Sequence, residues 1–191
     1  AAVLSDAAEY GAKAASVHPL FAISGGESAQ AKIGTALFTL EGDESALTSV
    51  SALLDVCGVH HREIASSDKP LYHAAAVCAS NLAVGLFASA QTMLERCGFG
   101  ADEARGALRP LFVGNCESIA ERGPVDALTG PIERNDAETV VGHLMAFRED
   151  PTLLKERDAY TALSRVVVEV AAAKHPERYY SHIAEILRAA R

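Results

Sequence analysis

Lys69, His73 and Ser80 recur at i, i+4 and i+11 in Ser67–Cys97, a stretch with no charged side chain between Lys69 and Glu95. At helical spacing they share one stripe with Ala76, and Asn81 lies beside it. A cation, an imidazole, a hydroxyl and a carboxamide at one end of an otherwise apolar helix describe a small-molecule pocket. There Lys69 would hold a carboxylate or, with its pKa lowered by burial, act as general acid. His73 would shuttle a proton, Asn81 would orient the substrate, and Ser80 counts with the substrate-binding residues. The plainer alternative is a solvated Lys69, with His73 and Asn81 capping neighbouring helix ends.

The connection Ala127–Asp136 (ALTGPIERND) is a second candidate. Thr129 and Arg134 flank a rigid turn, and Arg134 offers a planar fork for a carboxylate or phosphate. Alternatively Asp136 is an N-cap, Gly130-Pro131 a turn, and Arg134 the partner of an acidic neighbour. His18-Pro19 ends a predicted strand, and in α/β folds ligands lie beyond the carboxyl ends of strands. His18 is thus placed to bind substrate, although a lone His before Pro is also a common loop feature. His60 and His61 are adjacent in a predicted strand and point to opposite faces, while His143, His175 and His182 have no partner at metal spacing, so no zinc site is expected. Gly98-Phe99-Gly100 lacks the third glycine and the preceding strand of a dinucleotide fingerprint, and no G-x-S-x-G is present.

The elements that must position these residues follow from pattern. Asp68 and Pro70 start, and Gly98 stops, a single helix of about 28–30 residues, roughly 45 Å long. Being apolar nearly all round, it is expected to be buried. Its length would span a bilayer, but Tyr72, His73, Ser80, Asn81, Ser89, Gln91 and Thr92 and the dominance of Ala favour the core of a helical domain. Before it, residues 3–10 read as a helix end, 14–20 and 35–40 as strands, 21–26 as a loop, and 59–64 as a third strand. Asp43 opens a helix with Ala46, Leu47, Val50, Leu53, Leu54 and Cys57 on one face, ended by Gly58. This alternation predicts an α/β layer with a mostly parallel sheet, too short for a whole doubly wound domain. After it, helices are expected over 101–122, kinked or split at Pro110 and broken at Gly123-Pro124, then over 136–148, 151–174 and 176–191.

The 191 residues are 49% hydrophobic and 22% charged, with a net charge of −8 and no basic tract. Nucleic acid is therefore not an expected partner. Cys57, Cys78, Cys97 and Cys116 stand singly and read as reduced, small buried hydrophobes of a cytoplasmic protein.

The runs HPLFAIS (18–24), FTLEGDE (38–44), DKPLYHAAAVCASNL (68–82) and ALTGPIERND (127–136), with HL at 143–144, resemble a bacterial family of NAD(P)-dependent oxidoreductases. In that family a Rossmann-like domain precedes a helical domain of unknown function. The helical part is similar to the C-terminal domains of 6-phosphogluconate dehydrogenase, ketopantoate reductase and pyrroline-carboxylate reductase relatives. There the first long helix lines the active site and often supplies Lys and Asn, matched here by Lys69 and Asn81 with His73 between them. His18-Pro19 resembles the H-P of prephenate dehydrogenases, whose His meets substrate. The resemblance implies the C-terminal half of a Rossmann-like domain over 1–66 and an all-α substrate and dimerisation domain over 67–191. It also implies NADP or NAD as cofactor of the intact protein, a small carboxylate-bearing substrate, and a homodimer formed through the helical domain, with neither membrane nor nucleic acid as partner. The glycine-rich turn is not among these residues, so this chain alone is expected to be inactive. The competing expectation is a non-catalytic helical dimerisation or binding module.

Overall fold

A computed structural model describes residues 6, 9–21 and 33–190. The expected helix end over 3–10 and loop over 21–26 lie largely outside the described residues. The chain divides into two compact units, Ala1–Ala83 and Val84–Arg191.

The first unit is built on three strands, β1 (Ala15–Pro19), β2 (Phe38–Gly42) and β3 (His61–Glu63), in the order β1-β2-β3. Helix α1 (Glu44–Val56) is the crossover that lets β3 run parallel to β2. β1 runs antiparallel to β2, so the sheet is mixed rather than mostly parallel, correcting the expectation from strand–helix alternation. The antiparallel register sets Ser16 opposite Glu41 and His18 opposite Thr39. Gly42 ends β2 at φ 146°, where a side chain's Cβ would stand 2.2 Å from Ala14 O. Asp43, at the N-cap of α1, turns its carboxylate to the Ala14 amide at 2.8 Å instead of capping the helix. Gly58, at φ 67°, follows the end of α1 as expected. On the predicted apolar face of α1, Ala46, Leu47, Val50 and Leu54 are partly covered, whereas Leu53 and Cys57 are exposed.

Alternation along the strands gives the sheet one polar face, bearing Ser16, His18, Thr39 and Glu41. The predicted long helix is two helices, α2 (Lys69–Ala79) and α3 (Asn81–Arg96), and α2 meets this face through Lys69 and Tyr72. Ser80 leaves the helical region, at φ −120° and ψ −77°, and its hydroxyl donates back to Ala76 O at 2.7 Å. Serine's competition for the carbonyl four residues earlier is the local reason for the break. α2 falls in the same compact unit as the sheet.

The expectation of a buried helix is also corrected. Neither α2 nor α3 has a buried residue, and Leu71, Leu82, Val84 and Leu86 are exposed. The stretch Ser66–Arg96 has the length and apolar character to cross a membrane, and none of its most apolar part is buried.

The second unit contains α3 from Val84 onward, α4 (Ala101–Ala127), α5 (Ala137–Glu149), α6 (Leu154–Lys174) and α7 (Ser181–Ala189). Its core lies at the other end of the sequence from the long apolar run. Val140 and Leu144 of α5, Ala171 of α6, and Ile183 and Leu187 of α7 pack together with Ile132 and Tyr180. Pro110 does not split α4; the non-helical residue is Gly123, at φ 77° and ψ 166°. Glycine before proline is the combination that leaves the helical region most easily. All four cysteines are exposed, not buried as their apolar surroundings in sequence suggested. Cys78 and Cys116 lie on helix surfaces, and Cys57 and Cys97 each follow the end of a helix.

Candidate functional site

Two contacts fasten α2 to the polar face of the sheet. Lys69, in the first turn, forms an ion pair with Glu41 of β2 and donates a 2.8 Å hydrogen bond to Ser16 Oγ of β1. Lys69's hydrogen bond holds the Glu41 carboxyl down at about 2; burial opposes this and Ser66 assists it. One turn on, the Tyr72 hydroxyl lies 3.0 Å from His18 Nδ1. Thr39 Oγ1, across the strand pair, donates to His18 O at 3.3 Å. The i, i+3 spacing of Lys69 and Tyr72 matches the i, i+2 spacing of Ser16 and His18 on the strand below.

Beyond these contacts an open cavity of about 680 Å³ lies at the carboxyl end of β1. Its polar lining residues are His18, Tyr72, His73, Ser80 and Asn81; Pro19, Phe21 and the alanines of α2 supply the apolar wall. The His18 and His73 rings stand edge to face, with centroids 6.3 Å apart. Among the described residues His73 has no hydrogen-bond partner, and both it and Asn81 are exposed at the cavity's rim. Of the residues expected to meet substrate, the structure thus brings together His18, His73, Ser80 and Asn81. It does not bring Lys69 to the cavity wall, because Glu41 and Ser16 hold the ammonium group.

Tyr72 is the lining residue that sequence spacing did not single out. It lies between Lys69 and His73, and its hydroxyl is the only phenol lining the cavity among the described residues. The signal was its i+3 position from Lys69, but an aromatic in an apolar helix reads equally well as packing.

Thr129 and Arg134 belong to the second unit, and both are exposed. The loop carrying them is fastened by its other residues. Glu133 receives His175 Nε2 at 2.5 Å, and its backbone carbonyl accepts the Tyr180 hydroxyl at 2.8 Å. The His175 hydrogen bond is the main cause of a lowered Glu133 pKa. Asp136 caps α5 by accepting the Thr139 amide at 3.0 Å, and Thr139 lowers its pKa through both hydroxyl and amide. Gly130, at φ 102°, and Asn135, at φ 59°, make the turns, so the N-cap and turn of the plainer alternative are both present. Arg134 makes no ion pair with an acidic neighbour among the described residues; it stands in the field of Asp136. Sequence spacing gave no hint of the His175–Glu133 pair, whose members are 42 positions apart.

No three of the His, Cys, Asp and Glu side chains among the described residues gather into a metal site.

The chain matches the family described as Domain of unknown function (DUF2520) over residues 36–167, and it belongs to that family. A crystal structure of protein TM1727 from Thermotoga maritima is similar in fold, with a TM-score of 0.71 and 27% sequence identity. The likeness covers 84% of this chain and 62% of that one. No curated protein matches the chain.

Proposed function

We propose that the intact protein is a cytoplasmic NAD(P)-dependent oxidoreductase acting on a small carboxylate-bearing substrate, and that the cavity at the end of β1 is its substrate site. The observation that carries this reading is the His18–Tyr72 couple, with His73 edge-on to it, at a strand's carboxyl end. Two imidazoles and a phenol at the mouth of an apolar-walled cavity are groups that bind a polar substrate and hold a proton for it. Lys69, held by Glu41, serves as a positioning residue: it fixes the register of α2 and so the approach of Tyr72 to His18.

The described residues do not fit a dinucleotide. No glycine-rich turn opens a helix after a strand, and the one helix that follows β2, α1, has its N-cap carboxylate committed to Ala14. No step of hydride transfer is therefore assigned to these residues, and the Rossmann-like half is placed by this proposal outside them. The test is NADPH oxidation by the full-length protein with a panel of 2-oxo acids and cyclic imines. Turnover lost in His18→Gln supports the reading; no turnover with any member of the panel removes it.

A second reading is favoured by α3. Among the described residues it packs extensively along no other element, and Phe87 against Phe112 of α4, edge-on at 5.2 Å, is its one aromatic contact. A helix without charge up to Glu95, with Leu82 and Leu86 exposed one turn apart, fits a second copy of this chain, since like can meet like there without charge repulsion. The protein is thus proposed to be a homodimer through its helical part, whether as the enzyme or as a non-catalytic assembly module. Sedimentation equilibrium with and without NADPH separates the two. A tight dimer indifferent to nucleotide at full length favours the module, and a monomer at all concentrations removes the dimer from both.

A further inference from the structure

The polar residues of the cavity wall are His18, Tyr72, His73, Ser80 and Asn81; among the described residues no Asp, Glu, Lys or Arg lines it. The lysine that the sequence offers as an anion hook is withdrawn. Two of its donors go to Glu41 and Ser16 on the sheet, and the pair is electrically neutral as a unit. Among the described residues of this wall the groups able to carry a charge on binding an acid are the two imidazoles, and that charge is positive.

We propose that the cavity recognises a single carboxylate through the protonated rings of His18 and His73, so that binding takes up a proton and weakens as pH rises. This rests on the reading of the cavity as a site for a small carboxylate-bearing ligand, and replaces lysine by histidine as the recognising group.

Three features support it. First, Tyr72 occupies His18 Nδ1 at 3.0 Å and leaves Nε2 as the ring nitrogen for a ligand. A phenol both donates and accepts, so the Tyr72 contact persists whether His18 is neutral or charged; it fixes the ring without forbidding the proton. Secondly, the two rings lie 6.3 Å apart, centroid to centroid. A carboxylate that meets both rings pairs with the positive form of each, which makes proton uptake a signature of binding.

Thirdly, among the described residues no resident carboxylate competes. From β2 the groups on the same sheet face are Thr39, whose hydroxyl goes to His18 O, and Glu41, which is held by Lys69. From β3, Arg62 stands opposite Thr39 and adds only positive potential. From α2 come Lys69 and Tyr72. α1, which also packs on the sheet, carries Glu44 in its first turn and Asp55 at its other end, and Asp55 stands 3.8 Å from His61.

The probe is 2-oxobutyrate, ionised throughout the range used, with 2-oxobutyramide as its neutral counterpart. Binding to the 191-residue chain is measured by calorimetry in buffers of different ionisation enthalpy, and by NMR of the imidazole signals. The expected result is an affinity for the acid at least about ten-fold higher at pH 5.5 than at pH 8.0, with net proton uptake and no such dependence for the amide. His18→Gln with His73→Gln should abolish the dependence. His73→Gln alone, at an exposed position that leaves folding intact, should reduce it. Equal affinity at both pH values, no binding at either, or full binding in the double variant overturns the inference. NADPH turnover by the full-length protein without proton-linked binding leaves the oxidoreductase reading standing and removes this one. Proton-linked binding without turnover does the reverse.

Discussion

The Lys69 ammonium of α2 and the Glu41 carboxylate of β2 pair across the polar face of the sheet, with Ser16 of β1 as the lysine's second acceptor. Glu41 is almost wholly buried, and its pKa is lowered from 4.5 to about 2. A group whose folded-state pKa is depressed stabilises the fold above its ordinary value and loses that contribution as pH falls through the depressed one. Glu41→Gln is expected to destabilise the protein by about 2–3 kcal/mol at pH 7. The difference from the unsubstituted chain should hold down to about pH 4.5 and shrink towards pH 2. Urea unfolding of both chains across that range checks it.

Leu86, 45% exposed on α3, lies one turn from Leu82 on the proposed dimer face. Leu86→Glu would bring two carboxylates into an apolar contact without partners. The expected loss in dimer affinity is about 100-fold, or roughly 3 kcal/mol, read by sedimentation equilibrium. An unchanged dimer would place the contact elsewhere.

Gly42 ends β2 where backbone meets backbone. A Cβ there would lie 2.2 Å from Ala14 O and 2.7 Å from Ala15 Cα, at a φ of 146°. Gly42→Ala must therefore part β1 from β2 at the end nearest Asp43. A loss of about 2 kcal/mol or more is expected, with the His18 imidazole signals shifting because β1 carries that ring. Gly58→Ala, with nothing near its Cβ, is the control: only its φ of 67° is strained, at about 1 kcal/mol.

Tyr180, 5% exposed, donates to Glu133 O and packs in the core of the helical unit. Tyr180→Phe keeps the packing and leaves a backbone carbonyl without that donor. The expected cost is about 1–2 kcal/mol in thermal or denaturant unfolding, with faster amide exchange confined to the loop around residues 130–136.

Local signals fixed much of the chain. Asp43 before α1, Gly58 after it, the Asp136 cap of α5 and the Gly123-Pro124 break were legible because each acts within a turn or two of backbone. His18, His73, Ser80 and Asn81 were legible as candidates because polar side chains amid apolar helix, or at a strand's end, stand out by type. Strand direction was not legible: whether β1 runs with or against β2 depends on residues distant in sequence, and its period-2 pattern is the same either way. The break at Ser80 was hidden because a single serine inside a helix-compatible run is ordinarily tolerated.

The amino-acid sequence by itself determined where helices start and stop and which residue types were available for chemistry, because caps, turns and periodicity are local properties. Only the tertiary structure decided what each of those residues does. It gave Lys69 to Glu41 and Tyr72 to His18, since charge pairing and hydrogen bonding depend on distances that folding sets between residues 28 and 54 positions apart. It also left the most apolar helix uncovered, because burial is a property of what packs against a surface, and apolar character alone does not supply the neighbour.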